Sequence, residues 1–410
     1  MKQGHAWLAI APVLIALAAA LAFGGMLARA ELAQGSTIFV DADAAGANDG
    51  SSWEDAYTAL QSAMEEAAEG DQIWVAEGVY TPTYESTPGD PRSATFQLKN
   101  GVALYGGFDP TLGDVGWEDR DWVNHGTVLS GDLGSVGDPG DNSYHVFYHP
   151  SELALDGSAV LDGFTVTGGN ADGDSPDRWG GGMKNVVSSP TVSHCTFSAN
   201  WAEYGGGMLN HSSSPAVTNC TFSGNSSTWF GGGMLNMYSS SPTVTNCAFS
   251  GNSSLESHGG GMCNVGSSPP VTNCTFSGNL AAEGGGMSNT FGSAPPVTNS
   301  ILWGDSLPEI ANEESEPAVT YSDVQGGYEG VGNIDADPLF VDQAGGDFHL
   351  GPGSPCIDTG TNDAPNLPPY DFEGDPRVVD GDRDGIATVE MGVDEVHGHA
   401  VYLPIVLRSY

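Results

Sequence analysis

Apolar and polar positions recur in a fixed order through the middle of the chain. Val192, Cys195, Phe197 and Asn200 return as Val217, Cys220, Phe222 and Asn225, then as Val244, Cys247, Phe249 and Asn252, then as Val271, Cys274, Phe276 and Asn279. Between them runs a second element, Gly-Gly-Gly-Met with Asn two residues after the Met. It begins at Gly180, Gly205, Gly231, Gly259 and Gly284, at spacings of 25, 26, 28 and 25 residues. A period of that size, read once per supersecondary unit, predicts a solenoid. The apolar stretches are short and broken by Ser-Pro, Pro-Pro, Asn and Gly, which suits strands joined by bends and leaves no room for helices. Cys195 and Phe197 lie two apart and share an inward face, with Thr196 pointing out. Coils stacked at about 4.8 Å then place Phe on Phe, Val on Val and Cys on Cys. The repeated Asn positions are expected at bends, and the glycine triplets where the backbone turns sharply. His194, at the place held by Asn219, Asn246 and Asn273, is expected to be a bend residue, and His211 a loop-surface one.

Before the repeats, Trp53, Ala56, Leu60, Ala63, Met64 and Ala67 recur at helical spacing. One amphipathic helix laid over the open apolar end of a solenoid would shield it and block strand addition. The expected fold is therefore all-β, a right-handed parallel β-helix solenoid with an N-terminal amphipathic capping helix. The expected organisation is a signal peptide at 1–30, an N-terminal strand and capping helix at 36–70, a β-helix at 71–305 with clear repeats at 160–305, a C-terminal segment at 306–396 and an apolar tail at 397–410.

Composition narrows the function classes. Fifty-two acidic residues against ten basic ones give a net charge of −42, which repels nucleic acid and anionic membranes. Nucleic acid is not an expected partner. Lys2, an apolar run from Ala6 to Leu27 and Ala28-Arg29-Ala30 form an export signal with a cleavage site. The run is long enough to span a bilayer if it is retained. The body is expected outside the cytoplasm, secreted or at a bacterial cell surface, as a monomer with no span in the mature chain. The tail His399 to Tyr410, HAVYLPIVLRSY, is too short to span and reads as a sorting or docking tail.

The GGGM element paired with Phe-x-x-Asn (Phe197 to Asn200, Phe222 to Asn225, Phe249 to Asn252, Phe276 to Asn279) resembles the GGA[ILV] and FxxN repeats of polymorphic outer membrane proteins, with Gly for Ala and Met for the branched residue. The segment from Ile38 to Thr83 resembles the N-terminal part of pectin-lyase-like β-helix proteins. The stretch from Asn299 to Glu395, with NSILWG, DADPLFVD, GSPCIDTG and MGVDEV, is similar to the choice-of-anchor segment of bacterial surface proteins. These resemblances imply a surface or secreted interaction protein that touches polysaccharide or cell-surface glycan. They imply, as the alternative, a calcium-assisted polysaccharide lyase, which needs a basic residue to remove the proton alpha to a uronate carboxyl. Lys184 and Arg178 are the weak candidates for that base, and no pectate-lyase signature surrounds them.

Three further features carry chemistry. The residues just before the glycine triplets, Trp179, Tyr204, Phe230 and His258, hold one angular position on four coils, and Trp201 and Trp229 lie nearby. Outward rings would form a stacking surface for sugars, whereas inward rings would support the loops. Asp380, Asp382 and Asp384 before Gly385, with Glu390 beyond, form either a calcium loop that departs from EF-hand spacing or a solvated acidic turn. Six cysteines in an exported protein suggest disulfides. Cys195, Cys220, Cys247 and Cys274 share one repeat position, however, so an inward ladder of free thiols is expected. Cys263, at the place of Lys184, Leu209, Leu235 and Ser288, is expected to be the accessible one.

Overall fold

The computed structural model of the protein describes residues 35–113 and 115–396. The expected signal peptide and the apolar tail lie outside these residues. One α-helix, Leu60–Glu66, accompanies short strands that build a parallel solenoid. Each coil visits three main faces. Its first-face strand, such as Thr191–Ser193, pairs with Val160–Asp162 below and Ala216–Thr218 above. Its second-face strand, Thr196–Ser198, pairs with Phe164–Thr167 and Thr221–Ser223. Its third-face strand, Met183–Val186, pairs with Phe147–His149 and Met208–His211. A shorter fourth sheet, from Asn170–Ala171 through Trp201–Tyr204, Ser226–Phe230 and Ser253–His258 to Leu280–Glu283, fills the corner before the glycine triplet. The sheets continue past residue 305, where the repeat signature fades, to Ala318–Thr320 and Asp323–Val324.

Register makes the interior. Phe197, Phe222, Phe249 and Phe276 stack with ring centroids 4.9, 4.8 and 4.6 Å apart and planes within 6°. Isolated aromatic pairs prefer offset or edge-on contact. Here the rise per coil, set by the hydrogen bonds, fixes the spacing of the rings, and identical surroundings on each coil hold their planes near parallel. Each ring is fully buried, a gain of about 1.5–3 kcal/mol relative to exposure. Val192, Val217, Val244 and Val271 form a second ladder, and Cys195, Cys220, Cys247 and Cys274 a third. No disulfide forms; all six cysteines are free and buried. Cys263 is among them, contrary to the expected accessible thiol, for a reason given by the aromatic stripe below.

Two repeated asparagine positions depart from the expected bends. Asn185, Asn210, Asn236, Asn264 and Asn289 lie within third-face strands, fully buried, and each Nδ2 donates to the Oδ1 of the next, at 2.9–3.0 Å, ending on Asn312. His149 starts the chain by donating from Nδ1 to Asn185 Oδ1 at 2.7 Å while its Nε2 accepts from Leu98 N. Asn312 finishes it on Tyr328 Oη at 3.0 Å. Asn200, Asn225, Asn252 and Asn279 make a second interior chain that ends on Asp305. An amide carries both a donor and an acceptor, so identical amides one rise apart satisfy each other without water. The true bend positions are His194, Asn219, Asn246, Asn273 and Asn299, all left-handed with φ of 50–52°.

The N-terminal helix buries Leu60, Ala63 and Met64 against the first strands, as a cap should. It is shorter than the apolar spacing predicted, because Trp53 does not join it. The Trp53 indole packs on Phe39 and Phe108, and its Nε1 donates to Val115 O at 2.9 Å. Tyr57 is held extended by backbone bonds with Phe39 and Asp41.

The C-terminal segment leaves the solenoid axis and folds back along its side. After the hairpin Phe340–Asp342 with Asp347–Leu350, its loops lie over the bend asparagines. Asn246 donates to Tyr370 O, Asn273 to Glu390 O, and Asn299 to Thr361 O. The outward second-face residues Ala248 and Ile301 are thereby buried against Phe348, Val393 and Met391. Arg377 is fully buried beneath this segment. It donates to Glu395 Oε1 at 2.9 Å, to Val393 O at 3.0 Å and to Asn246 Oδ1.

Three outcomes follow from this packing. Native alkylation should label none of the six cysteines, Cys263 included, and unfolding should expose all six to mass spectrometry; burial pushes the Cys263 thiol well up, so it resists reaction. Burial also holds His149 down to about 4, from an ordinary value near 6.5. A depressed histidine contributes stability that is present above pH 6.5 and lost as pH falls through 4. His149→Asn should flatten that part of a stability-against-pH curve. Arg377→Ala leaves the buried Glu395 without its cation and should cost about 3 kcal/mol, read as early proteolysis of residues 340–396 while the repeats stay protected.

Candidate functional site

Where the fourth sheet meets the third face, the chain builds an aromatic stripe on the outside of the solenoid. The first glycine of each triplet is left-handed, at φ +70° for Gly205, and turns the chain through the corner. The second has no room for a side chain: a methyl on Gly206 would stand 2.4 Å from Ser226 O. This turn folds the preceding ring back over the outward residues of the third face. Trp179 pairs with Tyr204, Tyr204 with Phe230, and Phe230 with His258. Their centroids are 6.3, 5.9 and 5.4 Å apart, in edge-on or tilted contact. The rings are half-buried. They cover a satellite cluster of Leu209, Leu235 and Cys263, which explains why Cys263 is enclosed. His211, expected in a loop, instead ends a third-face strand and stacks on Trp179 at 6.3 Å. Trp201 is half-buried and Trp229 is exposed on the adjoining fourth sheet.

The basic candidates stand at the start of this stripe. Arg178 pairs with Glu203 at 3.2 Å and lies over the Tyr204 ring. Lys184 is enclosed, 1 % exposed. Its Nζ donates to Pro176 O at 2.8 Å, lies 3.2 Å from His145 Nε2 and rests over the Tyr148 ring. Burial lowers the Lys184 ammonium to about 8, with Asp177 opposing; burial and then Lys184 lower His145 to about 4. A lysine so tuned could act as a base. Pro176, His145 and Tyr148 enclose it, however, and leave it 1 % exposed.

The acidic residues expected to hold calcium are regrouped. Asp380 and Asp382 converge with Asp358, their ligand oxygens all within 4.8 Å. Asp384 turns away, its Oδ1 accepting from Ile386 N. Glu390 is fully buried, and burial followed by the charge of Glu395 pushes it up to about 9. Asp358 comes from a turn some twenty residues upstream of the Asp-rich motif, so spacing could not reveal it. Two more groups join distant residues that no motif marked. Glu77, Asp109 and His125 meet near the N-terminal coils, and His349, Glu373 and Asp394 on the C-terminal segment. Burial raises Glu373 to about 8 and Asp394 to about 7.

No curated protein matches the chain in sequence. Among solved structures, pectate lyase Pel9A is similar with a TM-score of 0.44 at 12% identity, over 90% of this chain and 98% of that one. The deglycosylated pectin methylesterase from Aspergillus niger is similar with a TM-score of 0.30 at 12% identity, over 73% of this chain and 83% of that one. Residues 157–302, which include the coils that carry the stripe and most of both asparagine chains, match the family model described as the right handed beta helix region.

Proposed function

We propose that this chain is an exported, surface or extracellular β-helix protein that acts as a monomer and binds glycan along the stripe Trp179, Tyr204, Phe230 and His258, without cleaving it. The observation that carries this reading is the axial row of half-exposed rings on four successive coils, outside the core. A polysaccharide repeats along its own axis, and rings at regular intervals offer it successive apolar contacts. The net charge of −42 disfavours bare polyanions and favours neutral or cation-bridged chains. Among the described residues no helix is long and apolar enough to cross a membrane. The lyase reading is weakened by the enclosure of Lys184.

The rings also roof Leu209 and Leu235, so truncation to alanine would mix binding with stability. Tyr204→Leu with Phe230→Leu keeps the apolar cover and removes the flat faces. The double variant should bind neutral polysaccharides at least tenfold more weakly in affinity electrophoresis, with its melting temperature within a few degrees of the parent. Equal binding by parent and variant would sink the stripe as the site. Release of unsaturated chain ends by the parent, abolished in Lys184→Ala, would replace binding by lyase chemistry.

A further inference from the structure

The C-terminal segment contains a set of buried oxygens that lack donors. Glu390 is 0 % exposed and its carboxylate meets no side-chain donor, only the backbone of Val396; Asp358 Oδ1 and Asp380 Oδ1 are buried and unpartnered. Buried acceptors without partners are costly, by about 1–3 kcal/mol each and more for charged groups. Buried carboxylate oxygens so poorly supplied with donors, gathered in one place, point to a ligand that supplies positive charge. Glu390 stands beside the aspartates, though not within 4.8 Å of all three. A methyl added at Gly381, between Asp380 and Asp382, would stand 2.6 Å from Glu390 Oε1 and 3.4 Å from Asp358 Oδ2. Asp358, Asp380 and Asp382 already bring their oxygens within 4.8 Å of one another. The turn is preset by backbone bonds to the carboxylate atoms on the other side: Asp382 N donates to Asp358 Oδ2, and Gly385 N to Asp380 Oδ2.

We propose that Asp358, Asp380, Asp382 and Glu390 bind one hard divalent cation, calcium by its taste for several carboxylate oxygens, and that the ion clamps the C-terminal segment onto the solenoid. The three stretches it would join have different attachments. Met391 N donates to Cys356 O, Asn273 donates to Glu390 O, and Gly392 N donates to Asn299 O. Glu390 therefore sits on the layer that touches the repeats, whereas Asp380 and Asp382 belong to an outer turn. An ion shared between them fastens outer turn to inner layer and inner layer to coil. Asp384, though it completes the Asp-rich motif, has no part in the clamp.

The test is calorimetric titration of the full chain, stripped with chelator, with calcium chloride at a fixed moderate salt concentration. One saturable site is expected, accompanied by a higher melting temperature and by slower amide exchange in residues 355–395. Asp358→Asn and Glu390→Gln should abolish that site, and Asp384→Asn should retain it. A localising measurement needs no ligand variant: Trp303 packs against the cluster of Ile301, Leu350, Cys356 and Met391, whose last member adjoins Glu390 in sequence. Terbium bound at the clamp should be sensitised by Trp303, lose its emission on addition of calcium, and be dark in Trp303→Phe. The proposal is overturned by weak, unsaturable calcium uptake that all variants share. Equally it fails if the site survives Asp358→Asn or Glu390→Gln, or vanishes in Asp384→Asn, or if terbium emission does not depend on Trp303.

Discussion

The structure depends on in-register parallel pairing, which sets the strand residues of the three main faces of the repeats directly over their counterparts one coil earlier. Met183 lies on Met208, Met234, Met262 and Met287, and Asn185 follows the same path. A side chain in this arrangement must be compatible with a copy of itself at about 4.8 Å. Phenylalanine meets that condition by face stacking, valine and cysteine by close packing, and asparagine by being its own hydrogen-bond partner. Aspartate does not meet it, which is why Asp305 enters only as the last member of its chain. Burial there, reinforced by Glu309, pushes its carboxyl well up.

The same constraint shapes the outside. A ring placed before one glycine triplet must be followed by the residue before the next, so the stripe runs along the axis without further design. The opposite outcome applies to the bends between the first and second faces. There Asn246, Asn273 and Asn299 present amide groups outward, and the C-terminal segment uses them as docking points. One side of the solenoid is thus closed by its own chain, and among the described residues none covers the aromatic side in the same way.

Acidity and enclosure together define what chemistry remains accessible. Most of the 52 carboxylates carry their charge into solvent, yet the C-terminal segment buries Glu390, Asp394 and Glu395 close together with Arg377 as the buried cation. Burial of like charges is costly in proportion to the solvation lost. The segment therefore carries a large electrostatic cost, as the buried Asp305 and Glu309 do at the end of the second asparagine chain. Lys184 shows the converse: a cation on the repeats enclosed beside Pro176 and His145, with its charge weakened by burial.

The solenoid, its coil period, the inward ladders and the axial order of the aromatic stripe were legible in the sequence, because each is a property of one repeat copied at fixed spacing. The asparagines were legible as a pattern but not as interior chains, since only stacking reveals that an amide can satisfy its own image. Cys263 and Lys184 occupy outward positions by alternation; the glycine corner folds rings over Cys263, and Pro176, His145 and Tyr148 enclose Lys184. Asp358, and the sideways docking of the C-terminal segment, were decided by tertiary structure alone. They join residues far apart in the chain through surfaces with no period, and periodicity was the signal by which the sequence spoke.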